Sequence, residues 1–514
     1  MKNDSLSFFR LSCFLMILFF VTCLSCHRNR LRTNEKELSD QILLQEKNIL
    51  GQSSLQRELS DSLNTLPKAF RYREDRSEDR GNPPVTIDIA GNLNNVREIK
   101  LSDVAGTISY IRMEPVPDST IPRDLKFRYY LMDNYIVALN LFGIHLYSKE
   151  GRFLRTIVKN ELTGVMAEPD RLIFRMDYTK KGGGNSVQAS GNNLLYYYSN
   201  NITGQKYIMK YDCSSRQLQP EYKFDPENPD QLSGLGEIAI DLNHGNTVPP
   251  PPRPSQGMFS GAPEDFFSAY ETYIHDNGSY SVPLSRGDNM MVLLNNQGDT
   301  LSEFSRLEKL VNYTKSLQRG TDDGTKYENN GSLYLRPAFN DTVFRIIPPN
   351  RLYPVYTLNL GSYKVTKQEG VDPDFKFTGK IIPEEWAESE NYIFLTFTKD
   401  DYDCPNTRKN KTVKIFHALY SKLAKIFTVI KGDPLDYSPE ILENDIDGGV
   451  PVWPLSYMIS KKGELMIPLK GSELKFRVKS AEFRQSGAPA NKKKDLETLA
   501  DSVSDMDDIL MIIN

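Results

Sequence analysis

The stretch Tyr334–Gly361, YLRPAFNDTVFRIIPPNRLYPVYTLNLG, decides how this chain is read. Val343, Arg345 and Ile347 point one way and Phe344 and Ile346 the other. After a proline-bearing turn, Tyr353, Val355, Thr357 and Asn359 alternate in the same manner. A period of two marks two β-strands. The same kind of unit recurs outward from this point. In order, strands are predicted at Val85 to Ile89, Thr107 to Met113, Lys126 to Met132, Tyr135 to Asn140, Gly143 to Tyr147, Phe153 to Val158, Leu172 to Met176, Asn193 to Tyr198 and Tyr207 to Tyr211. Helical periodicity is absent from this region. Hairpin turns end on Gly151, Gly298 and Gly463, each placed where positive φ is needed before an apolar strand.

Followed to Val478, the pattern amounts to roughly two dozen short strands, or about six four-stranded sheets of roughly 65 to 70 residues each. The expected fold is all-β, a six-bladed β-propeller, because one sandwich would need only about seven to nine strands. Two loops interrupt it, the proline- and glycine-rich Leu242 to Ala262 and the polar Asp400 to Lys411. Near the C-terminus, Leu496, Leu499 and Val503 have helical spacing within Lys492 to Ser504, and Ile509 to Ile513 reads as a buried strand. That last strand is expected to close the ring by pairing within the blade begun near Val85, which removes an exposed edge.

Composition narrows the function. The chain has 514 residues, 39% hydrophobic and 11% aromatic, enough for a large core, and its net charge of −4 lacks the basic footprint of a nucleic-acid binder. Nucleic acid is therefore not an expected partner. The N-terminus has Lys2 and Arg10 before an apolar run, Leu11 to Leu24, too short to span a bilayer comfortably, followed by Ser25 and Cys26. It reads as a secretion signal or an uncleaved signal anchor. Cys23-Leu24-Ser25-Cys26 resembles the bacterial lipobox, which implies cleavage before Cys26 and lipid attachment to it. His27 at the next position resembles lipoproteins sent to the outer membrane. The basic run that follows leaves the periplasmic and cell-surface faces both open.

Residues 1–26 are thus read as a lipoprotein signal peptide and 27–83 as a helical tether with a charged linker, ordered structure resuming near Val85. In the tether Leu38, Ile42, Ile49, Leu59, Leu63 and Leu66 share one heptad frame that Gln45, Gln52 and Gln56 interrupt. Residues 84–514 form the propeller with its C-terminal helix and closing strand. The two cysteines of the body, Cys213 and Cys404, are read either as one bridge or as two separate thiols.

Catalytic machinery is not found. His145, His244, His275 and His417 show no HExxH motif and no pair at metal-ligand spacing, no GxSxG elbow exists, and Gly182–Gly184 lies in a loop rather than a phosphate cradle. No catalytic, cofactor-binding or metal residue is predicted, and no cofactor. Asp445 and Asp447 before Gly448 are read as a structural turn with Asx hydrogen bonds, or as part of a calcium loop that lacks its later acidic ligand. Trp386 and Trp453 are read as core residues or as stacking platforms. Asp61-Ser62-Leu63 resembles a Bacteroidetes O-glycosylation motif.

One resemblance is more specific. Phe339 to Ile346, then Leu352-Tyr-Pro-Val-Tyr356 and Leu360-Gly361, resemble the "DTVYRI … PxYxxxFG" signature of the six-bladed β-propeller lipoproteins of Bacteroides and relatives. Asn444 to Gly449 with Pro454 is similar to that family's "NDIDGG…P", and Ile99 to Ile111 to its entry strands. The family's "GkGPGEY" turn is missing, since Lys159 to Pro169 reads KNELTGVMAEP, which implies a divergent subgroup of unknown function. The resemblance implies a monomeric, lipid-anchored envelope propeller that binds or scaffolds a protein, peptide or glycan ligand through the loops at one end of the ring. The competing reading is an enzyme of lyase, lactonase or glycosidase type centred on the channel. A third is a structural subunit of an envelope complex.

Overall fold

Strands organise the computed structural model of this protein, which describes residues 71–77, 81–117, 127–140, 143–159, 187–190, 192–199, 206–214, 237–241, 273–275, 279–283, 289–295, 299–307, 324–329, 331–372, 374–437, 441–455, 458–460 and 462–514. The chain divides into Met1–Phe70 and Arg71–Asn514. The expected signal, Cys26, the tether and the loop Leu242 to Ala262 lie outside the described residues, as do the strand expected at Leu172 to Met176 and Gly298.

Twenty-five strands are described, and they fall into six sheets. Sheet 1 holds Arg128–Leu131, Tyr135–Asn140, Gly143–Ser148 and Phe153–Lys159. Sheet 2 holds Val187–Ser190, Asn193–Ser199, Lys206–Asp212 and Glu237–Asp241, and sheet 3 Tyr273–Ile274, Tyr280–Pro283, Asn289–Leu294 and Thr300–Ser305. Sheet 4 holds Thr325–Asn329, Ser332–Arg336, Thr342–Ile347 and Arg351–Asn359; sheet 5 holds Ile381–Glu388, Tyr392–Lys399, Lys414–Ser421 and Ile426–Ile430. These strands run antiparallel in chain order, as expected of hairpin-connected units. Sheet 6 is made of Leu465–Lys470, Asp508–Ile513 and Ile108–Met113.

In strands such as Tyr135–Asn140 both faces are buried, and the two faces serve different cores. In Tyr135–Asn140, Val137 and Leu139 join Leu194, Tyr196 and Met209 of sheet 2, whereas Ile136 and Ala138 join Leu510 and Ile512 of sheet 6. In the stretch first quoted, Val343 packs toward Trp386 and Leu395 of sheet 5, while Phe344 and Ile346 pack toward Met291, Leu293 and Phe304 of sheet 3. A bulge lies between Val343 and Phe344, leaving Val355 as the extra residue opposite them. It flips the phase of the partner strand, so Leu352 faces sheet 3 and Tyr356 and Leu358 face sheet 5. Ala387, Phe394 and Leu419 of sheet 5 meet Leu465, Ile509 and Met511 of sheet 6. Among the described residues the shared cores therefore link the sheets in the succession 2, 1, 6, 5, 4, 3.

First strands of neighbouring sheets approach one another, Thr325–Asn329 with Ile381–Glu388 and Leu465–Lys470 with Arg128–Leu131, so the sheets converge at that edge. This is a β-propeller arrangement, with five sheets carrying the four or more strands of a full blade.

The opposite, outer edges are covered by the N-terminal part of the body. Tyr72 N–H donates to Leu301 O on sheet 3, and Asp75 exchanges backbone hydrogen bonds with Asn350 and Leu352 of sheet 4. Val85–Asp88 then adds a parallel strand to Tyr356–Asn359, and Val96–Arg97 one to Val429–Ile430. Arg71–Ser77, expected as part of a linker, is instead hydrogen-bonded to the body: Arg71 pairs with Glu303 at 2.8 Å, and Arg76 with Glu74 and the Ser305 carbonyl.

Sheet 6 joins strands from both ends of the body, as a closing strand requires, but the partner is not the one expected. Asp508–Ile513 pairs with Ile108–Met113 and Leu465–Lys470, whereas Val85 belongs to sheet 4. Between Lys470 and Asp508 the chain forms three helices, α1 (Gly471–Lys479), α2 (Ala481–Gln485) and α3 (Ala490–Ser502). The strand pattern extended to Val478 fails here, because Leu474 and Val478, four residues apart, lie on one helical face against the core. Helix α3 matches the expected C-terminal helix and buries Leu496 and Ala500. The expected loop Asp400 to Lys411 contains a further short helix, Pro405–Lys409.

Candidate functional site

Two turns form the lips of a slot between sheets 5 and 6. The first, Ser389–Tyr392, follows the innermost strand of sheet 5. Ser389 N–H donates to Tyr392 O at 2.9 Å, Tyr392 N–H returns a bond to Ser389 Oγ at 3.2 Å, and Lys422 Nζ holds Ser389 O at 2.7 Å. In the second turn Ser460 Oγ accepts from Lys462 and Glu464 N–H and donates to Glu464 Oε2 at 2.9 Å. The positive φ expected of the turn glycines is present at Gly151 (83°) and Gly463 (80°). The slot has a volume of about 210 Å³. Leu101, Phe394, Leu442, Leu465 and Ile513, all buried, form its floor, and Val104 and Ala105 one wall.

Its electrostatics are simple. Lys462 pairs with Asp133 at 3.2 Å and Glu464 is bonded to Ser460, while Glu390 and Asn391 stand exposed at the lip. The lining contains no histidine or cysteine, and the Ser389 hydroxyl is spent on its own turn. It can hold an apolar group and present charge at its mouth.

Behind the first lip lies a buried carboxylate. Glu388 accepts from Tyr327 Oη at 2.6 Å and Tyr356 Oη at 2.7 Å, and pairs with Lys422 Nζ at 2.6 Å. Burial and then the Glu388 charge push both tyrosines well above the ordinary phenol range. Trp386 stacks on Tyr327 and tilts against Tyr356 with centroids 6.1 and 5.5 Å apart. Lys422 thus ties this inter-sheet network to the lip turn. Ile381–Glu388 carries three glutamates, Glu384, Glu385 and Glu388, and nothing in the sequence marks which of them is buried or names its partners.

The residues singled out from sequence do not converge on the slot. Asp447 accepts from Tyr110 Oη at 2.8 Å, Asn444 Nδ2 at 2.8 Å and Gly449 N–H at 2.9 Å, and Asp445 accepts both the N–H and the hydroxyl of Ser102. A Cβ at position 449 would sit 2.6 Å from Tyr110 Oη, so the second glycine of the motif admits that hydroxyl. This is the structural turn with Asx bonds. Trp386 and Trp453 are both buried, Trp453 donating Nε1–H to Thr396 Oγ1 at 2.9 Å. His145 lies by Thr156 in sheet 1, His275 by Ser281 at 2.7 Å in sheet 3, and His417 edge-on to Trp453 in sheet 5. Burial pushes His275 down to about 4. Cys213 and Cys404 are free thiols; burial pushes Cys213 up to about 12. On the inner strands, half-buried Lys326, Glu328, Glu384 and Glu385 each take part in a polar or electrostatic contact. Among the described residues no group of three or more acidic, histidine or cysteine side chains is arranged to hold a metal. His27, His244, Cys26, Asp61 to Leu63 and Gly182–Gly184 lie outside the described residues.

Compared with known families, the chain matches the domain of unknown function DUF4933 over residues 67–480. The chain belongs to the DUF4933 family. No curated protein matches it. Among solved structures this DUF4933 chain is similar to a Bacteroides fragilis protein that carries an exported-protein name, at 11% identity over 84% of this chain and 99% of that one, with a TM-score of 0.42. It is also similar to the WD40 domain of Neurospora crassa Pan2, at 8% identity over 66% and 80% with a TM-score of 0.27. A third is a Bacteroides caccae protein of unknown function, at 10% identity over 60% and 88% with a TM-score of 0.27. The matched span of the DUF4933 domain includes the edge-covering segment from Arg71 to Arg97 and ends at Ser480, just after α1.

Proposed function

We propose that this DUF4933 protein is a six-bladed β-propeller, lipid-anchored through Cys26 at the outer membrane, that binds or scaffolds a protein, peptide or glycan ligand. The slot between sheets 5 and 6 carries the binding reading: its floor is apolar, its lips are fixed by their own hydrogen bonds, and the one serine hydroxyl in its lining is engaged in its turn. Sheet 6 is taken as the sixth blade, its three strands supplemented by the antiparallel bridge between Ile459 and Leu465. The anchor rests on the lipobox-like Leu24-Ser25-Cys26.

The test has two arms. Cells fed radiolabelled palmitate are expected to label the wild-type protein and not Cys26→Ala, with the variant released from the membrane fraction. Crosslinking in intact envelopes is expected to yield a saturable partner for the anchored protein. Equal labelling of both proteins removes the anchor, and catalytic turnover of a supplied lactone or glycoside replaces the binding module with an enzyme.

A further inference from the structure

We infer that the slot between sheets 5 and 6 takes one aromatic or branched aliphatic side chain from an extended segment of a partner protein, with a basic residue of that segment set against Glu390. The inference rests on the binding-module reading and names its site and ligand class. Size is the first argument: an apolar cavity of roughly 150 Å³ is enough to hold a benzene ring, and this one is about 210 Å³.

Polarity supplies the second argument. The floor of the slot carries no polar side chain, and the polar residues of its lining, among them Glu390, Asn391 and Asn514, are exposed at its mouth. Ser389 Oγ is engaged in its turn, and Tyr392 Oη donates to Asp103 O at 3.0 Å, beside the wall formed by Val104 and Ala105. A floor of Leu101, Phe394, Leu442, Leu465 and Ile513 also lacks the hydrogen-bonding groups a sugar ring requires. Orientation must therefore come from the lips, which only a ligand longer than the slot can reach. Both lips are turns already locked by their own hydrogen bonds, so little ordering entropy opposes docking.

Charge is the third. Lys462 is paired with Asp133 at 3.2 Å and Glu464 is bonded to Ser460, whereas Glu390 makes no ion pair among the described residues. A cation beside the inserted side chain complements that carboxylate, and an acidic segment is repelled by it.

Fluorescence anisotropy on the full chain tests this with labelled heptapeptides Gly-Gly-Lys-X-Gly-Gly-Ser, where X is Phe, Trp, Leu, Ile or Ser, together with a Phe peptide carrying Glu in place of Lys. Saturable binding of at least one apolar X is expected, with the Ser and Glu peptides at least tenfold weaker. Ala105→Phe, which fills the slot from its half-buried wall, is expected to weaken that binding at least tenfold. Glu390→Lys, an exposed change, is expected to weaken the Lys peptide about fivefold without altering the thermal melting curve. Equal binding to wild type and Ala105→Phe places the ligand elsewhere and overturns the slot while leaving a binding propeller. Absence of binding for every X overturns the peptide assignment, and envelope crosslinking then decides the broader reading separately.

Discussion

Glu388 is a carboxylate buried among two phenols and an ammonium, and its removal leaves Lys422 facing a desolvated space with two hydroxyls unbonded. Breaking a buried pair from one side costs about 3–5 kcal/mol, so Glu388→Ala is expected to lower the unfolding free energy in urea titrations by that much, and Glu388→Gln by less because its carbonyl still accepts. Since Lys422 also holds the Ser389 carbonyl, both variants should loosen the first lip. His275 makes a different prediction. Its folded value of about 4 lies below the ordinary 6.5, so on acidification the unfolded chain takes up a proton before the folded one. Stability is therefore expected to fall between pH 6.5 and 4, by roughly 2 kcal/mol at pH 5, and the loss should be absent from His275→Gln in matched urea titrations. None of this was legible in the sequence, where the last of three glutamates in Ile381–Glu388 and a lone His carry no sign of what packs against them. The Asn444 to Gly449 turn was legible, because two glycines after alternating acids leave few backbone geometries.

At the level of elements the strands were read well, because short apolar runs between turn residues mark strands even where burial on both faces removes the alternation, as in Tyr135–Asn140. Tyr135–Asn140 has the expected bounds, and most other predicted strands in described regions shift by a residue or two. Two errors have physical causes. The charged run from Arg71 reads as a solvated linker, yet its charges find Glu303 and the Ser305 carbonyl on the outer edge of sheet 3. Strand order was also misjudged at closure, since Val85–Asp88 and Ile108–Met113 are both edge strands by pattern and only three-dimensional packing assigns each its sheet. The covering segment is not passive: Ile87 and Ile89 are fully buried in the core between sheets 4 and 5. Ile87→Ala is expected to cost about 2–5 kcal/mol in denaturant unfolding, as for a core residue, and a loss below about 0.5 kcal/mol would show the covering segment to be loosely laid.

For the whole molecule, six sheets tied in succession by shared cores place the slot at one junction, between sheets 5 and 6, where the chain's N-terminal segment, a sheet-5 turn and the C-terminal strand meet. That junction was invisible in sequence because its lining comes from positions as distant as Leu101, Phe394 and Ile513. The propeller itself was visible, since repetition survives drift where individual contacts do not. The most direct measurement is site-specific photocrosslinking in intact cells, with Asn391 at the lip replaced by p-benzoylphenylalanine. A discrete higher-mass adduct that disappears when Ala105→Phe is combined with it is the result predicted here. An adduct pattern indifferent to Ala105→Phe, or no adduct at any light dose, would contradict a binding role for this junction.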